Sequence, residues 1–250
     1  MASLSGLRII NTRPEQRAAQ LTQALEQQGA TVFSLPLLET IALELSAVGK
    51  ECLLNLDRYH SVFVVSPTAA ELGLNALADY WPQWPVGIEW LAVGQSTAQV
   101  LRSYFIEPTI PEQETSEGLL QLPQLQQLTQ GQRLLVLRGE GGRNLVRDSL
   151  QNRGVKVDYV DLYRRQLPQH SLQQWPQIQQ QTIDVVIISS GETLTQWLQL
   201  AGQQAQNIPI LVISPRLVEL AQQQGFKTVL SSVSIHPKDI CNTLSQWHKV

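Results

Sequence analysis

At 250 residues, 43% hydrophobic and 16% charged, with a formal net charge of -3, the sequence has the balance of a globular protein of one large or two small domains. Residues 1–6 hold neither the basic region nor the apolar core of a secretory leader, and no apolar run approaches membrane-spanning length; a cytoplasmic protein with no membrane partner is expected. Mild acidity speaks against a nucleic-acid partner, and two distant cysteines, Cys52 and Cys241, supply neither a disulfide framework nor a zinc motif.

Short apolar runs rich in β-branched residues fall at 7–11, 32–35, 61–65, 90–93, 134–137, 155–162, 185–188 and 210–213. Helical periods lie between them, as at 16–28, 71–79, 97–104, 144–152, 194–200 and 217–224. Such alternation predicts βα units around parallel sheets. The runs also repeat at about half the chain length. Leu7-Arg8-Ile9-Ile10 matches Leu134-Leu135-Val136-Leu137, and Phe63-Val64-Val65-Ser66 matches Val186-Ile187-Ile188-Ser189. Leu91-Ala92-Val93-Gly94 matches Leu211-Val212-Ile213-Ser214, each followed by a helix and an aromatic, Phe105 or Phe226. Helices ending at Gly29 and Gly154 correspond as well. Two α/β halves of similar architecture are predicted, with the working surface in the cleft between them.

Loops leaving the carboxyl edge of a parallel sheet carry its chemistry, and here they are polar. Thr12-Arg13-Pro14-Glu15 has capping-box spacing, and Ser66-Pro67-Thr68 and Ser214-Pro215-Arg216 each set a serine cap before a proline. Gly94-Gln95-Ser96-Thr97 and Ser189-Ser190-Gly191-Glu192-Thr193 open two more helices. One such turn signifies only a cap; five in matching places, with Arg13, Arg138, Arg143 and Arg216, point to a polyanion site at helix N-termini. The stretch 132–166 supports this reading, since seven arginines and one lysine against four acids leave it at +4.

Gly139-Glu140-Gly141-Gly142 follows a strand yet fits neither dinucleotide nor Walker spacing, so a nucleotide site is disfavoured. The four histidines (His60, His170, His236, His248) lack ligand spacing, and no hydrolase triad appears. Tyr163 continues the alternation of Val155, Val157, Tyr159 and Asp161, which makes it a packing residue of one strand face. Its place beside a linker leaves a second role open.

Read in order, several segments resemble uroporphyrinogen-III synthase. They are Thr12-Arg13-Pro14, Ser66-Pro67-Thr68-Ala69, Ala92-Val93-Gly94-Gln95-Ser96-Thr97-Ala98, Ser116-Glu117-Gly118-Leu119, Leu137-Arg138-Gly139-Glu140-Gly141-Gly142-Arg143 and Leu162-Tyr163-Arg164. The resemblance runs nearly end to end and rests on order and spacing, since no one motif of that family is diagnostic. It implies two flavodoxin-like domains joined by a two-strand linker, one of residues 1–37 plus 168–250 and the other of 38–167. Ser189-Ser190-Gly191-Glu192 and Ser214-Pro215-Arg216 depart from the commoner family pattern.

The same resemblance implies a lyase that closes hydroxymethylbilane, a linear tetrapyrrole with eight carboxylates, to uroporphyrinogen III. Water leaves and ring D inverts, on the route to haem. No cofactor or metal is implied, and a monomer is expected. Tyr163 matches the tyrosine that assists hydroxyl loss. Substrate contacts are expected from Arg13, Ser66, Thr68, Gly94, Ser96, Thr97, Arg138, Gly139, Arg143, Ser189, Ser190, Gly191, Ser214 and Arg216. The competing class is a non-enzymatic two-domain protein that binds a small polyanion. A nucleotide-sugar transferase would want an acidic metal-binding motif after a strand, and none stands out.

Overall fold

The alternating runs build two five-stranded sheets in the computed structural model, which describes residues 4–142 and 144–248. In chain order the strands are β1 (Arg8–Asn11), β2 (Thr31–Ser34), β3 (Glu39–Ala42), β4 (Ser61–Val64), β5 (Glu89–Ala92), β6 (Arg133–Gly139), β7 (Lys156–Gln166), β8 (Val185–Ile188), β9 (Ile210–Val212) and β10 (Val229–Ser231). The chain divides into two compact units, Met1–Glu39 with Gln166–Val250, and Thr40–Arg165. Both crossings fall inside strands, β3 and β7.

The first unit carries the order β10-β9-β8-β1-β2, with every neighbouring pair parallel. Parallel strands are buried on both faces, and here the alternation shows it. Ile10, Val186, Ile188, Ile210 and Val212 pack under helices Gln169–Ile178, Gly191–Ala201 and Pro215–Gln223 through Trp175, Trp197 and Leu217. Ile9, Val185, Ile187 and Leu211 face the other way, onto Leu21, Leu25, Ile240 and Leu244 of helices Glu15–Glu26 and Pro237–His248.

The second unit carries the order β3-β7-β6-β4-β5, parallel from β7 through β5. On one face Val62, Val64, Leu135, Leu137, Val160 and Leu162 meet helices Ala47–Leu54, Pro67–Ala78 and Gln95–Ser103. On the other Phe63, Leu91, Leu134, Val136 and Val157 meet Leu119, Leu125 and helix Leu145–Gln151. Strand order β7-β6-β4-β5 repeats β2-β1-β8-β9, so strands matched by the sequence repeat hold the same places in their sheets. The aromatic match fails by one residue. Phe105 takes the left-handed conformation (φ 62°) that Gly225 takes in the other copy, and lies 97% exposed, whereas Ile106 and Phe226 are buried equivalents. Both cysteines are buried thiols, and burial raises the Cys241 pKa. Among the described residues, no helix is long and apolar enough to cross a membrane.

Candidate active site

Parallel pairing brings the expected site residues to the carboxyl ends of both sheets, in two sets. The first unit holds Arg13, Ser189, Ser190, Gly191, Ser214 and Arg216 after β1, β8 and β9. The second holds Ser66, Thr68, Gly94, Ser96, Thr97, Arg138, Gly139 and Tyr163 at the ends of β4, β5, β6 and β7. Arg143 lies outside the described residues.

In the first unit the turns are helix starts. The Ser190 hydroxyl accepts from Thr193 N at 3.0 Å and lies 2.8 Å from Thr193 Oγ1; Ser214 Oγ accepts from Leu217 N at 3.4 Å. Gly191 sits close under Leu220, and Ser189 is half-buried. Thr12 does not form the capping box its spacing predicts: it donates to Ile187 O across to β8 at 2.5 Å, and Pro14 stands at the N-cap of helix Glu15–Glu26 with no side-chain cap bond. Arg13 is half-buried, and burial followed by the nearby Arg17 guanidinium lowers its pKa. A cation so placed gains from an incoming carboxylate. Arg216 is exposed one turn from β9.

In the second unit the central contact joins β7 to β4. Tyr163 Oη lies 3.0 Å from Ser66 Oγ, and that oxygen also accepts from Ala69 N at 3.0 Å, capping helix Pro67–Ala78. Strand β6 runs between β7 and β4, and neighbouring strands are ~4.8 Å apart, so the phenol must lie across β6. It does so at Gly139, where a Cβ would come 2.5 Å from Tyr163 Cε2 and 2.6 Å from Cζ. Gly139 thus makes room for the ring.

A bulge in β7 puts the ring there. Arg138 pairs with Asp161 but Gly139 pairs with Tyr163, so one residue of β7 is left over. Strict alternation from Val155 to Asp161 would have sent Tyr163 to the Val157 face; instead it packs with Val160 and Leu162, against helix Pro67–Ala78. This corrects the sequence expectation for that residue. Tyr163 is 5% exposed, its carbonyl accepts from Glu140 N at 2.7 Å, and the Arg165 guanidinium lies 5.8 Å from the ring centroid.

Arg138, on the opposite face from Gly139, is held internally. Nε donates to Asp161 Oδ1 at 2.8 Å, Nη1 donates to Gly142 O at 3.3 Å and Asn144 Oδ1 at 3.2 Å, and the guanidinium stacks 3.7 Å from the Tyr159 centroid. Arg147 stacks on the same ring, Arg133 pairs with Asp158 at 2.8 Å, and Arg153 donates to the Leu125, Gln126 and Leu128 carbonyls. Four of the seven arginines of residues 132–166, Arg133, Arg138, Arg147 and Arg153, are thus engaged within the unit, two of them with the acids Asp158 and Asp161 that the linear count already subtracts. Arg138→Ala is expected to lower unfolding stability by about 1.5–3 kcal/mol, the worth of charge-assisted hydrogen bonds. An unchanged urea midpoint would return that guanidinium to ligand binding.

The start of helix Gln95–Ser103 has a tenant that sequence reading missed. Glu114 Oε1 accepts from Gln95 N at 2.9 Å, and a Cβ on Gly94 would collide with that carboxylate. Nineteen residues separate the two, and no local spacing announces them. Ser96 is exposed, whereas Thr97 is fully buried with its hydroxyl unpartnered. Thr68 is half-buried in the first turn of its helix. Among the described residues, no group of His, Cys, Asp and Glu is placed to hold a metal ion.

Comparison with known proteins adds what geometry alone does not. The family model described as uroporphyrinogen-III synthase HemD matches residues 19–241. Uroporphyrinogen-III synthase of Escherichia coli (strain K12) is 30% identical over 237 residues, covering 88% of this chain and 93% of its own. That of Proteus mirabilis is 37% identical over 161 residues, covering 63% and 79%. Two solved structures share the fold at 13% identity. A mutant uroporphyrinogen III synthase from the extremely thermophilic bacterium Thermus thermophilus has a TM-score of 0.68 (98% of this chain, 100% of that one). The Helicobacter pylori 26695 enzyme has a TM-score of 0.57 (97% and 98%).

Proposed function

Because the chain belongs to the uroporphyrinogen-III synthase family, we propose that it converts hydroxymethylbilane to uroporphyrinogen III and that Tyr163 supplies the proton on which the hydroxyl leaves as water. The observation that carries the role of Tyr163 is its placement: a phenol at the carboxyl edge of its sheet, lying over Gly139 and fixed at 3.0 Å from Ser66 Oγ. A fixed donor meets the geometric demand of general acid catalysis.

Loss of hydroxide alone would leave an anion in the site; protonation lets it depart as neutral water, leaving the cationic azafulvene. Ring closure then needs a mould that favours attack at the substituted carbon of ring D over the free one, which is differential binding of two transition states. Helix starts at Ser190 and Ser214, with the half-buried Arg13, offer N–H groups and positive charge to substrate carboxylates. Such contacts fix the pyrrole rings while ring D turns. The substrate is a small polyanion, with no nucleic-acid or membrane partner, and the protein acts as a cytoplasmic monomer; the net charge of -3 and the pairing of Arg133 and Arg138 with Asp158 and Asp161 speak against nucleic acid.

Incubation with hydroxymethylbilane, followed by separation of type I from type III product, tests the reading. The expected product is the type III isomer, formed equally after chelator treatment. Type I product alone, the isomer of spontaneous closure, would leave a polyanion-binding protein in its place.

A further inference from the structure

We propose that Ser66 acts in the reaction only through Tyr163, as a positioning residue that keeps the phenol's own proton free for the departing hydroxyl. This rests on the reading of Tyr163 given above. The hydroxyl of Ser66 has one proton and two lone pairs. Its oxygen accepts from Ala69 N at 3.0 Å and lies 3.0 Å from Tyr163 Oη. With Ser66 Oγ–H donating to Tyr163 Oη, the phenol becomes the acceptor of that bond and its proton points to a third partner. The reverse polarity would spend the phenolic proton on serine.

Two features favour the first polarity during turnover. Charge builds on Tyr163 Oη as its proton moves to the leaving hydroxyl, and an oxygen gaining negative charge is best served by a donor. That donor caps the 12-residue helix Pro67–Ala78, whose positive end also favours the charge. The ring has little freedom to turn away, since it is 5% exposed and rests on Gly139. Ser66 is thereby moved from the substrate-contact set to the support of the acid. Ser66 and Tyr163 lie 97 residues apart, so nothing local in the sequence pairs them.

The test compares Ser66→Gly and Ser66→Thr, each alone and with Tyr163→Phe, in the type III assay at saturating and limiting hydroxymethylbilane. Glycine still starts a helix nearly as well as serine, so Ser66→Gly loses little at the cap and lowers Tm by a few degrees for the lost bond to Tyr163, as Tyr163→Phe does, whereas Ser66→Ala loses the cap as well. Ser66→Gly is expected to lower kcat about tenfold, the size of one lost hydrogen bond, with KM changed less than about twofold. Ser66→Thr restores most of the rate. In the Tyr163→Phe background Ser66→Gly costs nothing further, because no phenol is left to hold. A loss that persists in that background, or that falls on KM, would overturn the proposal and make Ser66 a substrate contact. Tyr163→Phe at full rate would instead overturn the reading of Tyr163, and this inference with it.

Discussion

Tyr163→Phe is expected to slow turnover roughly tenfold to a hundredfold while the product remains the type III isomer. A sole essential acid is worth about 10²- to 10⁴-fold. The smaller figure follows because the hydroxyl of this substrate also leaves spontaneously and a bound water or a substrate carboxylate can deliver a proton. Isomer choice survives because the direction of ring D is set by how the whole tetrapyrrole is held, and Phe keeps the ring over Gly139. The hydrogen bond to Ser66 adds a second expectation. Losing one partly buried bond costs about 0.5–1.5 kcal/mol, so the midpoint of thermal unfolding falls by a few degrees. Single-turnover rates with product separation, run beside a thermal melt, check both. A Phe variant at full rate would make Tyr163 a packing residue, and one that gives type I product would make its hydroxyl part of the mould.

The architecture was legible in the sequence because parallel strands buried on two faces read as apolar runs. Each of the eight runs became a strand, and the half-length repeat paired strands of equal rank in the two sheets. Strands β3 and β10 escaped notice for a physical reason: Glu39–Ala42 and Val229–Ser231 are short edges, half exposed, with no run of buried residues to mark them. Helix Gln169–Ile178 was hidden similarly, since Pro176 sits within it and its apolar residues are few.

The site was legible only as a set of turns. Ser66, Ser190 and Ser214 cap helices as their spacing announced. What each turn faces was not, because partners come from distant strands. Asp161 binds Arg138 across a ladder, Glu114 reaches Gln95 from a separate loop, and the bulge beside Gly139 changes the face of Tyr163 without leaving a trace in the alternation. Period-two reasoning holds up to a bulge and inverts beyond it. The basic stretch shows the same limit: its linear charge count does not say which arginines meet Asp158, Asp161 or the Tyr159 ring.

Gly139→Ala is the substitution expected to do most harm for its size. A Cβ there would stand 2.5 Å from Tyr163 Cε2, 2.6 Å from Cζ and 3.0 Å from Oη, so the ring must move. It has little room, being buried among Val160, Leu162 and helix Pro67–Ala78 while its carbonyl accepts from Glu140 N. Overpacking of this kind costs about 1–3 kcal/mol. The displaced phenol also loses Ser66, so kcat should fall at least as far as in Tyr163→Phe, roughly a hundredfold. Two backgrounds separate these effects. With Tyr163→Phe the ring carbons still clash, so the stability loss persists while little further rate is lost. With Tyr163→Leu the clash shrinks and part of the stability returns, although activity does not. Urea denaturation and the type III assay read the two separately. If Gly139→Ala changed only KM and left unfolding untouched, Gly139 would be a point of close approach for substrate and the ring would not rest on it.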